Sequence, residues 1–328
     1  MVVDYSIKAD DKDITDKIKA GLISLNIKDT VGDHADAITL KLSDYADSIK
    51  FPNKSVKISV SLGYKGNLYD FGVFFVDHIG INYPPSAISI SGSSVPFAKS
   101  TVFKAMQTQH TISFHDTTVK ALVELISTEH GLKSAVVESI GKIKINHIDQ
   151  TAEGNIAFLY RLVSQYGGSL KPTSERLVVL DKRGTNAKNS ELPTVKLDLK
   201  NITKYSYSSN HDRKYRSVAA QYHDVDKATT ETIKVGDGQP EFKLAYMYED
   251  KEKATAIAET VYKGFSQDSD TMNLTTVGNT EIIAGMPIKI IGLRDDIPQD
   301  WYVKTASHTL SKQGYQTNAE LTLKDFQV

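Results

Sequence analysis

The stretch His147-Ile-Asp-Gln-Thr-Ala-Glu-Gly-Asn-Ile-Ala-Phe-Leu-Tyr-Arg-Leu-Val-Ser-Gln-Tyr-Gly-Gly-Ser-Leu-Lys-Pro172 decides how the rest of the chain is read. Its opening residues are polar and read as a turn, with Thr151 or Gly154 available as a helix N-cap. Ile156, Leu159, Val163 and Tyr166 then recur in steps of three and four, which places them on one helical face, and Phe158 and Leu162 widen it. Gly167 and Gly168 stop the helix, because glycine takes the left-handed conformation after a helix without steric cost. Leu177–Leu180 follows as a short apolar strand. The stretch is therefore a helix docked on a small sheet near the middle of the chain.

On either side the period drops to two. Ile38, Leu40 and Leu42 alternate with polar residues, as do Val56, Ile58, Val60 and Leu62. Phe71, Val73 and Phe75, then Ile79 and Ile81, then Ile88 and Ile90 continue the pattern. Alternation predicts antiparallel strands with one face on a core. Pro52-Asn53, Gly63–Asn67 and Pro84-Pro85 punctuate them as turns. Residues 1–100 thus read as an all-β sandwich or barrel of about five to six strands.

Residues 101–190 read as an α+β module. Asp116 is placed to cap a helix carrying Val119, Leu122, Val123 and Ile126, with His130 in its last turn and Gly131 beyond it. Alternation returns over 191–328, with strands expected at Val195–Leu199, Val218–Tyr222, Ile233–Val235, Phe242–Tyr246, Ile288–Ile291, Trp301–Thr305 and Ala319–Leu323. Asp237-Gly238 reads as a hairpin turn. One helix carries Ala254, Ile257, Ala258, Val261 and Phe265, with Gly264 at its end. The fold class is mostly β with an α+β insert.

A faint repeat links the flanking regions. Val60–Gly63 is followed by Phe71, Val73 and His78, and Ile288–Gly292 by Trp301, Val303 and His308. A further alternating strand follows each, at Ile88/Ile90 and at Leu321/Leu323.

Composition narrows the chemistry. The balance of 39 basic against 40 acidic residues argues against a strongly basic nucleic-acid surface. The absence of cysteine excludes thiolate catalysis, disulfides and cysteine zinc sites. No apolar run approaches the ~20 residues of a membrane span, and the acidic N-terminus lacks the apolar core of a signal peptide. His110 and His115 are five apart, and His211 and His223 have no carboxylate at ligand-like spacing, so no metal is expected. Asp10, Asp11 and Asp13 lack the glycine and distal glutamate of a calcium loop. Asp224, Asp226, Asp295 and Asp296 read as turn residues. Gly236-Asp-Gly238 lacks the third glycine of a phosphate loop, and no Gly-x-Ser-x-Gly elbow occurs. Tyr205, Tyr207, Tyr215 and Tyr222 lack the basic stripe that would make them base-stacking residues. No cofactor is expected either.

The ordered residues nevertheless resemble a known family. His147, Asp149 and Gln150, then Ile156–Leu162 and Tyr166-Gly167-Gly168, resemble the phage late control protein D family, the tail baseplate hub of contractile phages. The same block occurs in the hub portion of VgrG proteins of type VI secretion. Asp36–Asp44, Gly63-Tyr64, Phe71–Asp77, Tyr215–Val218, Gly285–Pro287, Gly292–Arg294, Trp301–Val303, His308 and Gly314–Thr317 agree along the chain. Ala152–Asn155 departs from an Asn-Glu-Ser-Asp type helix start. Glycine for serine at a cap costs only a few tenths of a kcal/mol.

The resemblance implies two tail-tube-like β-barrel domains, 1–100 and 191–328, flanking the module at 101–190. It implies a homotrimer whose six barrels form a pseudo-sixfold adaptor between the sixfold tail tube protein and the threefold spike protein. Other baseplate proteins, the tape measure protein among them, are candidate partners; nucleic acid and membrane are not. The expected place is the virion tail baseplate or an injection particle, assembled in the bacterial cytoplasm. His147, Asp149, Gln150, Ile156, Phe158, Leu159, Leu162, Gly167, Trp301, His308 and Gly314 are expected to be structural, not catalytic. A baseplate-associated cell-wall hydrolase is the alternative reading.

Overall fold

The computed structural model describes residues 2–31, 35–44, 49, 51, 56–95, 100–173, 175–181, 193–209, 215–224, 227, 229–248, 250–267 and 270–323. The expected turn at Pro52-Asn53, and His211 and Asp226, lie outside the described residues.

The alternating N-terminal runs form β1 (Val3–Ala9), β2 (Lys12–Asp13), the short α1 (Thr15–Lys19), β3 (Leu22–Thr30), β4 (Ala37–Ser43), β5 (Lys57–Tyr64), β6 (Asn67–Asn82) and β7 (Ala87–Ser93). Period two does what it predicts: Ile38, Leu40, Leu42, Ile58, Val60 and Leu62 all enter one core. The strands lie in the order β3-β4-β7-β6-β5-β1-β2 and pair antiparallel throughout.

The middle comprises α2 (Thr101–Ala105), β8 (Gln109–Thr118), α3 (Val119–Glu129), β9 (Lys133–Val136), α4 (Glu138–Gly141), β10 (Lys144–Gly154), α5 (Asn155–Gln165), β11 (Gly168–Pro172) and β12 (Arg176–Asp181). The apolar faces of α3 and α5 meet in a core that includes Leu122, Val123, Ile126, Phe158, Leu159, Leu162 and Val163. Two expectations need correction. The cap of α3 is Thr118, whose hydroxyl accepts from the Ala121 N–H at 3.1 Å, while Asp116 sits inside β8 at φ 45°. The polar residues from His147 to Gly154 are not a turn but the end of β10, paired with β8 and carrying an irregularity between Gln150 and Glu153.

The C-terminal region contains β13 (Val195–Asp198), β14 (Ile202–Ser209), β15 (Ser217–Asp224), β16 (Thr229–Gly236), β17 (Glu241–Tyr248), α6 (Lys251–Gln267), β18 (Asp270–Val277), β19 (Pro287–Ile291), β20 (Asp300–Ser311) and β21 (Gly314–Leu323). Neither β14 nor β18 follows from apolar alternation, because serine, threonine and asparagine fill half of their positions and dilute it. Asp237-Gly238 is not a hairpin. β15 pairs antiparallel with β16 and parallel with β17, so the chain after β16 crosses to the other edge of β15. Helix α6 packs on this three-stranded sheet through Ala254, Ile257 and Ala258, and it continues past Gly264 to Gln267.

The repeat is carried by the hydrogen-bond ladders. The order β14-β18-β21-β20-β19-β13 matches β3-β4-β7-β6-β5-β1 strand for strand. Ile58 stands opposite Phe74 as Ile288 stands opposite Trp301. The ladders to β7 and β21 shift just after Val76 and just after Val303. Ladders from β3 and β14 shift just after Leu22 and just after Ile202. The structural counterparts of Trp301, Val303 and His308 are therefore Phe74, Val76 and Ile81, three residues beyond those matched by side-chain type. An irregularity opposite Ser59–Ser61 resets which face of β6 points inward, so Val73 is exposed and Phe74 is core. The repeat differs in one strand: β1 runs antiparallel to β5, whereas β13 runs parallel to β19. The middle region lies between the halves, and the small sheet with α6 lies between β14 and β18.

β20 joins the halves. Its residues Thr305–Ser311 pair antiparallel with Thr30–Ser24 of β3, which makes one 13-stranded sheet.

Candidate functional site at the seam between the sheet halves

The β3–β20 seam carries a buried histidine and, beside it, a partly buried ion triad. His308, opposite Ile27 in the ladder, is fully buried. Its Nε2 lies 3.0 Å from the Ile282 carbonyl oxygen, and its Nδ1 lies 2.8 Å from the Tyr315 hydroxyl. A carbonyl can only accept, so the proton sits on Nε2, and Nδ1 accepts from Tyr315. The Thr317 hydroxyl, 3.2 Å from Nδ1, donates instead to the Asn279 carbonyl. Burial, partly offset by the Ile282 carbonyl and by Asp29, holds the His308 pKa down to about 4. Burial likewise pushes the Tyr315 hydroxyl up. A neutral imidazole with both nitrogens satisfied is a structural linker. Phe71 of β6 covers it with ring centroids 4.7 Å apart, and Tyr64 donates across the seam to the Gly278 carbonyl at 2.8 Å.

Beside it lies an ion triad. Lys171 Nζ of β11 stands 2.8 Å from Asp29 Oδ1 and 3.1 Å from Asp36 Oδ2. The other Asp29 oxygen accepts from the Ala284 N–H at 2.9 Å. Three regions of the chain thereby meet at one carboxylate. Burial works against ionisation of Asp29, but Lys171 outweighs it and the carboxyl stays below its usual range. Burial and the adjacent Asp29 charge push Asp36 up to about 7. Burial lowers Lys171 less than the two carboxylates raise it, so the ammonium is held charged. Sequence reasoning missed this triad. The available signal was a lysine between Leu170 and Pro172 in a short strand, since a lysine demands a partner when buried.

The motif residues of the middle region divide into two sets. Ile156, Phe158, Leu159 and Leu162 are core, as their spacing requires. Gln150 is fully buried, donating to the Glu153 carbonyl at 2.7 Å and to Asn155 Oδ1 at 2.8 Å, and Asn155 continues the chain to His130 at 2.9 Å. These bonds hold the irregular end of β10 against the first turn of α5. The cap is Gly154, where a Cβ would stand 2.9 Å from the carbonyl oxygens of both Met106 and Gln107. The departure from the family's serine thus fits a close backbone approach. Gly167 adopts φ +73° and faces Thr260 of α6, where a Cβ would come within 2.8 Å of the threonine methyl.

His147 and Asp149 are exposed, and His147 has a partner, His115, that sequence distance concealed. Its Nδ1 lies 3.2 Å from Nδ1 of His115 on β8, and its Nε2 lies 3.2 Å from Asp149 Oδ2. Asp149 also accepts from Ser113 at 2.6 Å, which with the imidazoles holds its carboxyl below the usual range. His147 and Asp149 border an open cleft of about 740 Å³, lined also by Arg161, Tyr166, Met247, Tyr248 and Lys253. No group of three or more ligating side chains with metal-site geometry occurs among the described residues. Trp301 is buried at the head of β20 and donates to the Pro298 carbonyl at 2.8 Å. Gly314, at φ +112°, opens β21 after the two-residue turn at Lys312-Gln313.

Comparison with known proteins gives the class of this mostly β chain with its duplicated strand order. The fold is similar to the 43 kDa tail protein of prophage MuSo2 from Shewanella oneidensis, with a TM-score of 0.70 at 15% identity over 98% of each chain. It is also similar to a component of the type VI secretion system of E. coli, with a TM-score of 0.56 at 11% identity over 92% of this chain and 73% of that one. In sequence it is 25% identical to the probable baseplate hub protein of Escherichia phage P2, over 98% of this chain and 93% of the relative. The phage tail baseplate hub (GPD) family model matches residues 103–314, more than half of the chain. This chain belongs to that family, the baseplate hub of a contractile phage tail.

Proposed function

We propose that three copies of this chain form a pseudo-sixfold ring that joins a sixfold tail tube to a threefold spike within the baseplate. The observation that carries this is the duplication: two strand sets of the same order and ladder register lie in one chain. Three chains then present six like units to a sixfold partner and a threefold repeat to the other side, which resolves the symmetry mismatch by closed point-group assembly. In this reading residues 1–100 and 191–328 are the two tube-like barrels and 101–190 is the module inserted between them. The role is structural and non-enzymatic. Tube protein, spike protein and further baseplate proteins such as the tape measure protein are the partners, met in the virion tail after assembly in the bacterial cytoplasm.

Light scattering on the purified chain, alone and with its spike, tests the reading. A particle of three times the 36.2 kDa chain mass is expected. A chain that stays monomeric in both cases and binds neither spike nor tube contradicts it.

A further inference from the structure

Two motif residues of the middle region, His147 and Asp149, enter no core: both side chains are 52% exposed. Residues two apart on a strand share a face. His147 and Asp149 of β10 therefore lie together on the outer face of the β8–β10 ribbon, while Ile148 between them packs on the middle core. The antiparallel register sets His115 of β8 opposite His147, and Ser113 opposite Asp149. Four exposed polar side chains from two strands are thereby gathered in one quartet.

The two imidazoles meet corner to corner. Their Nδ1 atoms are 3.2 Å apart and their ring centroids 4.7 Å apart, so the Nδ1 corners are the near ones. Two nitrogens at that separation, each about 2.1 Å from a shared ion, subtend an angle of about 100° at it. That angle lies between the octahedral and tetrahedral values. On the far side of His147, Nε2 is 3.2 Å from Asp149 Oδ2, and Asp149 Oδ1 accepts from the Ser113 hydroxyl at 2.6 Å. A carboxylate only accepts, so the His147 proton sits on Nε2 and its Nδ1 presents a lone pair. The same carboxylate–histidine pairing fixes ring orientation and tautomer in metal sites. Without metal, the proton between the rings belongs to His115 Nδ1. An ion placed there replaces that proton, and His115 keeps its own on Nε2.

We propose that His115 and His147 form a bidentate site for a transition-metal cation such as nickel, zinc or copper, with Asp149 as its positioning residue. Imidazole nitrogen suits these ions, whereas calcium and magnesium take oxygen ligands. Two protein ligands are fewer than the three or four of catalytic and structural zinc sites. Water completes the coordination, and the ion exchanges with solvent. Bound there, it staples β8 to β10 within their ladder, ahead of the irregularity that follows Gln150. Both ligands come from one chain, so the site does not depend on ring assembly.

Isothermal titration calorimetry of the untagged full chain with nickel chloride tests the site. One ion per chain is expected, with binding weakened at least about tenfold in His115→Ala and in His147→Ala. The double variant should bind no more weakly than either single one, because chelation needs both rings. Asp149→Ala should weaken binding by about 10–100-fold, and Asp149→Asn, which keeps an acceptor for Nε2–H, should recover part of the loss. Calcium and magnesium chlorides should give no saturable heat. All three residues are exposed, so the circular dichroism of each variant should match the parent's. Nickel binding that survives both single histidine substitutions, or that is missing up to millimolar metal, overturns the site. Saturable calcium or magnesium heat that the histidine substitutions abolish overturns the assigned ion class. Unchanged affinity in Asp149→Ala overturns the positioning role and leaves the histidine pair standing.

Discussion

Lys171 and Asp29, 142 positions apart in sequence, form an ion pair of 2.8 Å that ties the middle region to the seam. Asp36 completes the triad at 3.1 Å. Removing the lysine would leave two buried carboxylates facing each other, the arrangement in which truncating one partner is costly. Lys171→Met should therefore lower unfolding stability by about 3–5 kcal/mol, read as a reduced urea midpoint at pH 8. An unchanged midpoint would show that the triad is solvated in practice.

Asp36 and His308 give opposite pH dependences. The folded pKa of Asp36 is raised to about 7, so its stabilising contribution is full below the unfolded value near 4 and is lost as pH rises through 7. Asp36→Asn should remove that slope, leaving the variant relatively more stable than the parent at pH 8 than at pH 5. Urea titrations of both proteins at the two pH values check this.

His308 works the other way. Its folded pKa of about 4 lies below the ordinary 6.5, so its contribution is full above 6.5 and is lost as pH falls toward 4. The difference corresponds to about 3 kcal/mol across that window. His308→Gln should be destabilised at pH 7.5 but show a much shallower loss on acidification. Melting temperatures from pH 7.5 to 4.5 should converge for the two proteins.

The apolar face of α5 carries the middle core. Leu159→Asp places a carboxylate where no solvent or partner reaches, a cost beyond about 4 kcal/mol. Circular dichroism and size exclusion should show no soluble folded protein. His147 is exposed, so His147→Ala should change stability by less than about 0.5 kcal/mol and leave the oligomer intact.

At Gly154, Gly154→Ser is expected to cost about 1–3 kcal/mol, well above the few tenths typical of an exposed cap. The reason is the approach of the Met106 and Gln107 carbonyls. Thermal unfolding distinguishes the two magnitudes.

Local periodicity made much of this fold legible. The α5 face, the helix stop at Gly167 and the inward residues of β4 and β5 follow from the chain alone, because each depends on neighbours within a few residues. Pairings over long separations did not. His115 meets His147 only because β8 and β10 are in register, and the Asp237-Gly238 reversal looked like a hairpin because nothing local says that β17 crosses to the far side of β15. The duplication lay between these cases. Its spacing was visible, but an irregularity in β6 shifted the true match by three residues, and only the ladders reveal it. The polar strands β14 and β18 were invisible to apolar alternation, although β14 forms the outer strand of the C-terminal half.

Electron microscopy of the purified chain, viewed down the particle axis, tests the ring most directly. Class averages should show six similar densities around a central opening, with threefold modulation from the middle regions. Particles with one or two chains, or open head-to-tail filaments without a closed ring, would contradict it.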